Sequence, residues 1–298
     1  MQPFSDRLIA AIRGKDSRCS VGLDPRIDQM PAFISRGSAC AAITEFHELV
    51  LDAIADLVPA VKPQLAFFEQ YGVAGMQAFE NTVLAARRRG LLVIADGKRN
   101  DISSTAEAYA KAYLSPDVFD CDAMTVTPYM GRDSLMPFVE ACSKQGRGLF
   151  AVLKTSNPGS KDFEDQTLET TGRPLYEKIA GVLNELGEGL VGESGYSSVG
   201  AVIGATFPEE GRRLRELMPR ALILVPGYGT QGGSAKSAAE CFNDDGLGAV
   251  VSSSRGITYG FGDAAISRDS FVQSVRERTR RMIEEVNAAV KTATAPLP

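Results

Sequence analysis

The stretch LLVIADGKRNDI, residues 91–102, places an apolar run directly before a cluster of charged residues. Its first five residues, Leu91–Ala95, are all apolar and do not alternate with polar ones. Such a run is typical of a parallel strand that is covered on both faces. Seven more short apolar runs, each bounded by turn or charged residues, fit the same description: Cys19–Leu23, Ala60–Leu65, Ala123–Val126, Gly148–Leu153, Val199–Ile203, Ala221–Val225 and Leu247–Val251.

Helix-like stretches lie between most of these runs. Apolar residues in Ile43–Leu57 recur at positions 43, 46, 50, 54 and 57, which forms a stripe along one face of a helix. The stretch Met76–Arg89 ends in three arginines before Gly90, and cations followed by a glycine are a helix stop signal. Five further stretches have helical character: Ser134–Gln145, Pro174–Leu186, Glu209–Met218, Ser234–Asn243 and the closing helix Val272–Val290.

The alternation of strand-like runs with helices predicts an α/β protein built as a single-domain (β/α)₈ TIM barrel. A doubly wound open sheet is the structural alternative. No Pro- or Ser-rich linker divides the chain, so we expect one domain over residues 1–298. Within it we expect an extended loop after strand five, about residues 157–173, which is either a lid or an insertion without fixed structure. A C-terminal closing helix is expected at about residues 270–290.

Composition restricts the chemistry. The chain has a single histidine, His47, so a site that needs two or three histidines is excluded, and His47 itself is interpreted as a packing or surface residue. The five cysteines show no C-x-x-C spacing and are typical of reduced thiols in a cytoplasmic protein. The net charge of −5 argues against general nucleic-acid binding. We expect no membrane span, because no run of 18 apolar residues occurs.

Charged residues follow the apolar runs at the point where each predicted strand ends. In a barrel of this kind the active site lies at the carboxyl ends of the strands. Asp96 and Lys98 are two residues apart, so on an extended strand their side chains point to the same side. Lys62 lies in the preceding run, Ala60–Leu65, and Asp101 follows shortly after Lys98. A lysine held between carboxylates is a well-placed proton donor, and a surface salt-bridge cluster is the alternative interpretation.

The last two predicted strands are followed by segments that suit a phosphate group. The segment PGYGTQGG, residues 226–233, is rich in glycine, which allows backbone N–H groups to approach an anion. The segment SSSRG, residues 252–256, contains Arg255, whose guanidinium can bind an anion through two parallel hydrogen bonds. Barrels often bind phosphate at these two loops, whereas simple turn geometry is the alternative explanation for the glycines.

Several segments in a fixed order resemble those of the orotidine 5′-phosphate decarboxylase family, in its longer bacterial form. They are VGLDPR (21–26), DGKRNDISSTAEAYA (96–110), VPGYGTQGG (225–233) and SSSRG (252–256). The resemblance implies a TIM-barrel lyase of pyrimidine biosynthesis that converts orotidine 5′-phosphate to UMP and CO₂. It also implies a cytoplasmic homodimer that needs no metal ion and no other cofactor, and whose partner is a small nucleotide substrate.

The resemblance also implies roles for individual residues. Lys62, Asp96, Lys98 and Asp101 match the catalytic charge network of the family, with Lys98 as the proton donor and Asp101 supplied across the dimer interface. Asp24 and Lys62 match contacts to the ribose hydroxyls.

The remaining matches concern binding of the substrate. Ser156 in KTSNPGS matches the residue that bonds the pyrimidine, and Ile102 and Thr105 match positions that reach the partner's site. The phosphate would be bound by two side chains and by nearby backbone: these residues are Gln231, Arg255, Gly232 and Gly256.

Three other functions remain open from the sequence. Lys154-Thr155-Ser156 at a strand end also resembles the Schiff-base segment of class I deoxyribose-phosphate aldolases. Sugar-phosphate decarboxylases and hexulose-phosphate synthases share the barrel and the D-x-K-x-x-D core but use Mg²⁺, and the presence of Ser156 and Gln231 argues against them. A non-catalytic barrel that binds nucleotides or a partner is the third alternative.

Overall fold

Eight parallel strands close into a barrel in the computed structural model of the chain, which describes residues 1–35, 37–229, 232–261 and 266–295. Each strand pairs with its neighbours in chain order, and the last pairs with the first, so the sheet has no free edge. The predicted single-domain (β/α)₈ fold is confirmed. The strands are β1 (Cys19–Leu23), β2 (Ala60–Pro63), β3 (Leu92–Arg99), β4 (Ala123–Val126), β5 (Gly148–Lys154), β6 (Ser197–Ile203), β7 (Ala221–Val225) and β8 (Ala249–Ser253).

Helices surround the barrel, and the longest packs against the first strand. None of the helices in the described ranges combines the length and apolar character that crossing a lipid bilayer requires. The helices are α1 (Phe4–Lys15), α2 (Ala39–Ile54), α3 (Leu65–Glu69), α4 (Gly72–Arg88), α5 (Ser103–Leu114), α6 (Arg132–Gln145), α7 (Leu175–Gly187), α8 (Pro208–Leu217), α9 (Ala235–Ala239), α10 (Arg255–Thr258) and α11 (Arg268–Ala293).

Some strand boundaries differ from those read off the sequence. Strand β3 continues to Arg99, past the predicted end at Ala95, because its pairing with β4 resumes at Arg99 beyond an irregularity. Strand β8 begins at Ala249 instead of Leu247, because its pairing with β7 starts at Ala249, directly after Gly248 with a φ of +88°. Apolarity therefore located the strands, whereas backbone conformation set their ends.

Helix α1 closes the amino end of the barrel. Its buried face packs into the barrel interior, where the rings of Phe4 and Phe150 meet edge to face with centroids 5.8 Å apart. A separate and larger apolar cluster fills the space between the strands and the surrounding helices. With the amino end closed by α1, the opening of the barrel lies at the carboxyl ends of the strands.

Burial lowers the reactivity of four of the five cysteines. Cys19, Cys121, Cys142 and Cys241 are buried, and burial raises the pKa of each thiol, to about 12 for Cys241. All five cysteines lie in the described ranges and carry free thiols. Because the thiolate is the reactive species, the four buried thiols are expected to be inert.

His47 is a packing residue on α2. Its Nδ1 lies 3.0 Å from the hydroxyl oxygen of Thr82, and that hydroxyl donates to the carbonyl of Ala78, so Nδ1 carries the hydrogen. The other ring nitrogen, Nε2, is buried with no hydrogen-bond partner among the described residues, and the ring lies beside Phe46 and Phe68. Adding a proton at Nε2 would bury an unpaired charge, and burial lowers the pKa of His47 to about 3.

Replacing His47 by glutamine should reduce the sensitivity of the fold to mild acid. The folded-state pKa of about 3 lies below the unfolded value of about 6.5, so stability is complete above pH 6.5 and falls as the pH drops toward 3. Between about pH 7 and pH 5 the native chain should lose about 2 kcal/mol that the His47→Gln variant does not lose. Urea denaturation at both pH values measures this difference, and an equal loss in both chains would contradict it.

Candidate active site

One cavity at the carboxyl end of the barrel gathers residues that the linear sequence spreads over more than 230 positions. Its volume is about 500 Å³, a size suited to a nucleotide-sized molecule. Seven strands or the loops after them contribute to its wall. Six of the residues singled out in the sequence line it: Asp24, Lys62, Asp96, Lys98, Ser156 and Arg255.

The carboxylate of Asp96 is the centre of the hydrogen bonds in this cavity. Its Oδ2 accepts from Lys62 Nζ at 2.6 Å and from Gln64 Nε2 at 3.0 Å. Its Oδ1 accepts from Lys98 Nζ at 2.7 Å and from the Thr125 hydroxyl at 2.9 Å. Four donors therefore hold one buried carboxylate in a fixed orientation.

The charges of this cluster stabilise one another. Burial alone would raise the pKa of Asp96, but the ammonium groups of Lys62 and Lys98 outweigh it and hold that pKa well below its usual range. Burial alone would lower the pKa of Lys62, but attraction to Asp96 and Asp24 raises it above its usual value. At neutral pH the Lys62–Asp96 pair is therefore fully ionised.

An irregularity in the sheet directs these side chains into the cavity. Ala95 pairs with Met124 on β4, but the next paired residue of β3 is Arg99, which pairs with Val126. The residues of β3 in between are longer than the opposing segment of β4, so the backbone bulges there, and Lys98 has a φ of +47°. Bulges of this kind re-aim side chains beside active sites.

The loops after β1 and β8 are tied together beside the cavity. The Tyr259 hydroxyl donates to the carbonyl of Asp24 at 2.9 Å and accepts from the N–H of Arg26 at 2.8 Å. The Oδ1 atom of Asp24 is buried and has no hydrogen-bond partner among the described residues. An unpaired acceptor at the wall of a polar cavity is suited to a hydroxyl group of a ligand.

Asp101, Ile102 and Thr105 do not reach the cavity within one chain. The Asp101 carboxylate accepts the N–H of Ile102 at 2.7 Å and makes no described contact with Lys62, Asp96 or Lys98. Ile102 is 57% exposed, and Thr105 is exposed on α5. The chain thus brings together three members of the predicted charge network and leaves the fourth at the surface.

The proposed phosphate segments lie on the same side of the barrel. Arg255 lines the cavity, and Gly256 is exposed beside it at the start of α10. Gly232 is exposed and has a φ of +91°, a conformation that few residues other than glycine adopt. Gln231 lies outside the described residues.

Sequence reasoning missed two residues that line the cavity, Arg26 and Gln64, and one that supports its charged cluster, Thr125. Gln64 lies two residues after Lys62, so the alternation rule for strands could have found it. Arg26, whose guanidinium lies 4.8 Å from the centre of the Phe67 ring, carried no spacing signal. Thr125 lies within an apolar run of a different strand, and only the pairing of β3 with β4 brings it to Asp96.

Comparison with known proteins now places this geometry in a family. The model of the orotidine 5′-phosphate decarboxylase / HUMPS family matches residues 18–263, which include every residue of the Asp96 cluster. The chain belongs to this family. The resemblance of the sequence segments is thereby confirmed, and the chain is a carbon–carbon lyase of the carboxy-lyase type.

Similar members of the family come from distant organisms. The chain is 44% identical over 302 residues to orotidine 5′-phosphate decarboxylase of Rhodopirellula baltica, with 96% of this chain and 99% of that one covered. It is 39% identical over 308 residues to the protein of the same name from Caldicellulosiruptor saccharolyticus, covering 97% and 100%. The structure of Leishmania donovani OMP decarboxylase superposes with a TM-score of 0.77 at 31% identity, covering 97% and 99%.

Lys154 occupies a different environment from that of Lys62 and Lys98, which line the cavity. Its side chain is completely buried at the end of β5, forms an ion pair with Asp165 and lies 3.6 Å from Glu164. Its ammonium lies 4.6 Å from the centre of the Phe207 ring. Lys154 does not line the cavity, so a bound carbonyl compound there would not meet it.

These contacts shape the beginning of the strand-five loop. Glu164 also accepts hydrogen bonds from the backbone N–H and hydroxyl of Thr155, which draws the loop back onto the strand end. Beyond it the chain forms a short antiparallel pair, Thr167–Leu168 with Arg173–Pro174. Lys154 thus anchors the loop that follows β5, and Ser156 of that loop lines the cavity.

Treatment with borohydride in the presence of deoxyribose 5-phosphate or a simple aldehyde should leave Lys154 unmodified. A Schiff base requires an uncharged amine that meets the carbonyl, whereas this ammonium is buried between two carboxylates and an aromatic ring. Peptide mass mapping after reduction measures adduct formation. A borohydride-dependent adduct on Lys154 would revive the aldolase alternative.

Proposed function

We propose that this chain decarboxylates orotidine 5′-phosphate to UMP and CO₂, the last step of de novo pyrimidine nucleotide synthesis. The observation that carries the proposal is the Lys62–Asp96–Lys98 array at the open end of the barrel. The names of the relatives support the same activity, since those that cover almost the whole chain are orotidine 5′-phosphate decarboxylases.

The charge of the cavity suits this substrate. Four cationic and two acidic side chains line it, which gives an excess of two positive charges: the cations are Arg26, Lys62, Lys98 and Arg255, and the acids are Asp24 and Asp96. The substrate carries a phosphate dianion and a carboxylate. The positive cavity therefore attracts the anionic substrate, although the protein as a whole is acidic.

Each end of the substrate has a proposed binding partner. Arg255 binds the phosphate, together with Gln231 and backbone groups of Gly232 and Gly256. This contact lies away from the reacting carbon and supplies binding energy that orients the base. Asp24 and Lys62 bind the ribose hydroxyls, which would give the unpaired Oδ1 of Asp24 a partner. Ser156, at the end of β5, bonds the pyrimidine.

The reaction itself depends on Lys98. The bond between C6 and the carboxylate carbon breaks, CO₂ leaves, and the electron pair stays on C6. The nearby ammonium of Lys98 stabilises that negative charge and then transfers a proton from Nζ to C6, which yields UMP. Asp96 holds this ammonium through a bond of 2.7 Å, and the amine that remains takes up a proton from water.

The proposed mechanism assigns no step to a metal ion or an organic cofactor. Lys98 supplies both the charge that stabilises the carbanion and the proton that quenches it. The described residues contain no group of three or more acidic, cysteine or histidine side chains placed to hold a metal ion. The rival reactions of sugar phosphates use Mg²⁺ with acidic ligands, and one or two carboxylates can hold that ion, so a test of metal dependence separates the two hypotheses.

The proposed working unit is a cytoplasmic homodimer. Asp101 would complete the charge network of the partner's cavity. Ile102, directly before α5, and Thr105, on α5, would reach the same cavity. The solvent exposure of Ile102 and Thr105, and the apolar character of Ile102, support this arrangement. We propose no nucleic acid and no membrane as a partner.

That one domain extends over all of residues 1–298 stays a prediction.

Replacing Lys98 by alanine should abolish turnover and leave binding of UMP detectable. Loss of the proton donor and of the stabilising charge should lower kcat by at least about 10³-fold. The fall in ultraviolet absorbance when orotidine 5′-phosphate loses its carboxylate measures turnover, and calorimetry with UMP measures binding. Near-native kcat in this variant would refute the assignment of Lys98.

The same assay distinguishes the Mg²⁺-dependent alternatives. Native protein treated with EDTA should retain its full rate on orotidine 5′-phosphate, because no proposed step uses a metal. Loss of activity on EDTA treatment that returns with Mg²⁺ would contradict the cofactor-independent mechanism.

Mixing two inactive variants should restore activity if Asp101 acts across the dimer. In a hybrid of Lys98→Ala and Asp101→Ala subunits, one cavity receives native Lys98 from one subunit and native Asp101 from the other. Random exchange of subunits should therefore return about a quarter of the native activity. Equal amounts of each variant, mixed under conditions that allow exchange, provide the measurement. No recovery despite exchange shown by native mass spectrometry would contradict the shared site.

A further inference from the structure

One hydroxyl group contacts both Asp96 and Lys98. The side-chain oxygen of Thr125 accepts the backbone N–H of Lys98 at 3.0 Å and donates its hydrogen to Asp96 Oδ1 at 2.9 Å. The ammonium of Lys98 donates to that same Oδ1 at 2.7 Å. The three residues therefore form a closed ring of hydrogen bonds that contains both ends of the Lys98 side chain.

The position of Thr125 follows from the bulge in β3. It lies on β4 between Met124 and Val126, the two residues that pair with Ala95 and Arg99 on either side of the bulge. The bulged residues have no one-to-one partners on β4, and the Thr125 side chain meets them instead. Thr125 is completely buried, and its β-branched side chain has few rotamers, so its hydroxyl is rigidly held.

Lys98 needs such a constraint. Its φ of +47° lies in the left-handed region, which is unfavourable for a residue with a side chain and persists only where surrounding contacts impose it. Its side chain is 44% exposed, so packing alone does not fix the ammonium. The bond from its N–H to Thr125 is a contact that imposes this conformation.

We propose that Thr125 is a positioning residue for the decarboxylation, because its hydroxyl fixes the Lys98 backbone and the Asp96 carboxylate relative to each other. This inference rests on the proposed function. Thr125 does not line the cavity, so it acts through these two residues. It sets where the Lys98 ammonium lies when C6 becomes negative, and displacement of a catalytic group by about 1 Å can lower a rate by about 10²-fold.

The test compares Thr125→Val with Thr125→Ser. Valine keeps the shape of the side chain and removes both hydrogen bonds, whereas serine keeps the hydroxyl. We expect Thr125→Val to lower kcat by about 10- to 100-fold with UMP affinity within about threefold of native. Thr125→Ser should restore kcat to within about threefold of native.

Thr279→Val is the matched control. Thr279 is also completely buried, and its hydroxyl donates to the carbonyl of Val275 at 2.8 Å on α11, away from the cavity. The Thr279→Val substitution removes a hydroxyl from an equally buried threonine. The thermal unfolding midpoint of this variant measures its loss of stability. Its kcat, which should stay within about twofold of native, shows how far such a loss affects turnover.

The split between kcat and UMP affinity gives a readout that general destabilisation would not move. A positioning role lowers kcat in Thr125→Val and leaves UMP affinity near native. Thr125→Ser and Thr279→Val should keep both quantities near native.

The outcomes separate this inference from the proposed function. A native chain without decarboxylase activity overturns the proposed function. An active native chain whose Thr125→Val variant keeps native kcat overturns only the role of Thr125. That role is also overturned if UMP affinity falls as far as kcat, or if Thr125→Ser is as slow as Thr125→Val. A selective fall in kcat that serine restores supports it.

Discussion

The buried carboxylate of Asp96 is held by two ammonium groups, a carboxamide and a hydroxyl, and the arrangement of the candidate active site depends on this cluster. An isolated charge at this depth would be very unfavourable, and removing one partner of such a pair is strongly destabilising. Lys62 and Lys98 donate hydrogen bonds to different oxygens of the carboxylate, at 2.6 and 2.7 Å. Attraction between the carboxylate and these two ammonium groups keeps the carboxylate ionised and holds the Lys98 ammonium facing the open cavity.

The rest of the fold provides the conditions for that cluster. A closed barrel has no free edge, and α1 closes its amino end, so the carboxyl end is the side on which loops form a cavity. Strands β2, β3 and β4 each supply a hydrogen-bond donor to Asp96: Lys62, Lys98 and Thr125. The bulge in β3 lies at Asp96 and Lys98. At the end of β5, the buried Lys154 anchors the loop that follows this strand and carries Ser156.

Two lysines at the carboxyl ends of β3 and β5 illustrate how environment separates similar residues. Lys98 is part of a hydrogen-bonded ring and still presents its ammonium to the cavity, whereas Lys154 is enclosed by Asp165 and aromatic rings. The same side chain can therefore serve as a proposed proton donor in one place and as a structural anchor in another. The difference lies in the elements packed around each lysine, which spacing along the chain does not reveal.

The sequence by itself determined the class of fold, the strand positions and most of the cavity, because apolar runs and the residues directly after them are local signals. Asp96 and Lys98 were found from a spacing of two residues. Tertiary structure alone decided that Thr125 joins them, because that contact depends on the pairing of two strands and on a bulge with a left-handed residue. It also decided that Lys154 is buried and that Asp101 stays outside its own cavity, since both depend on where loops fold back in space.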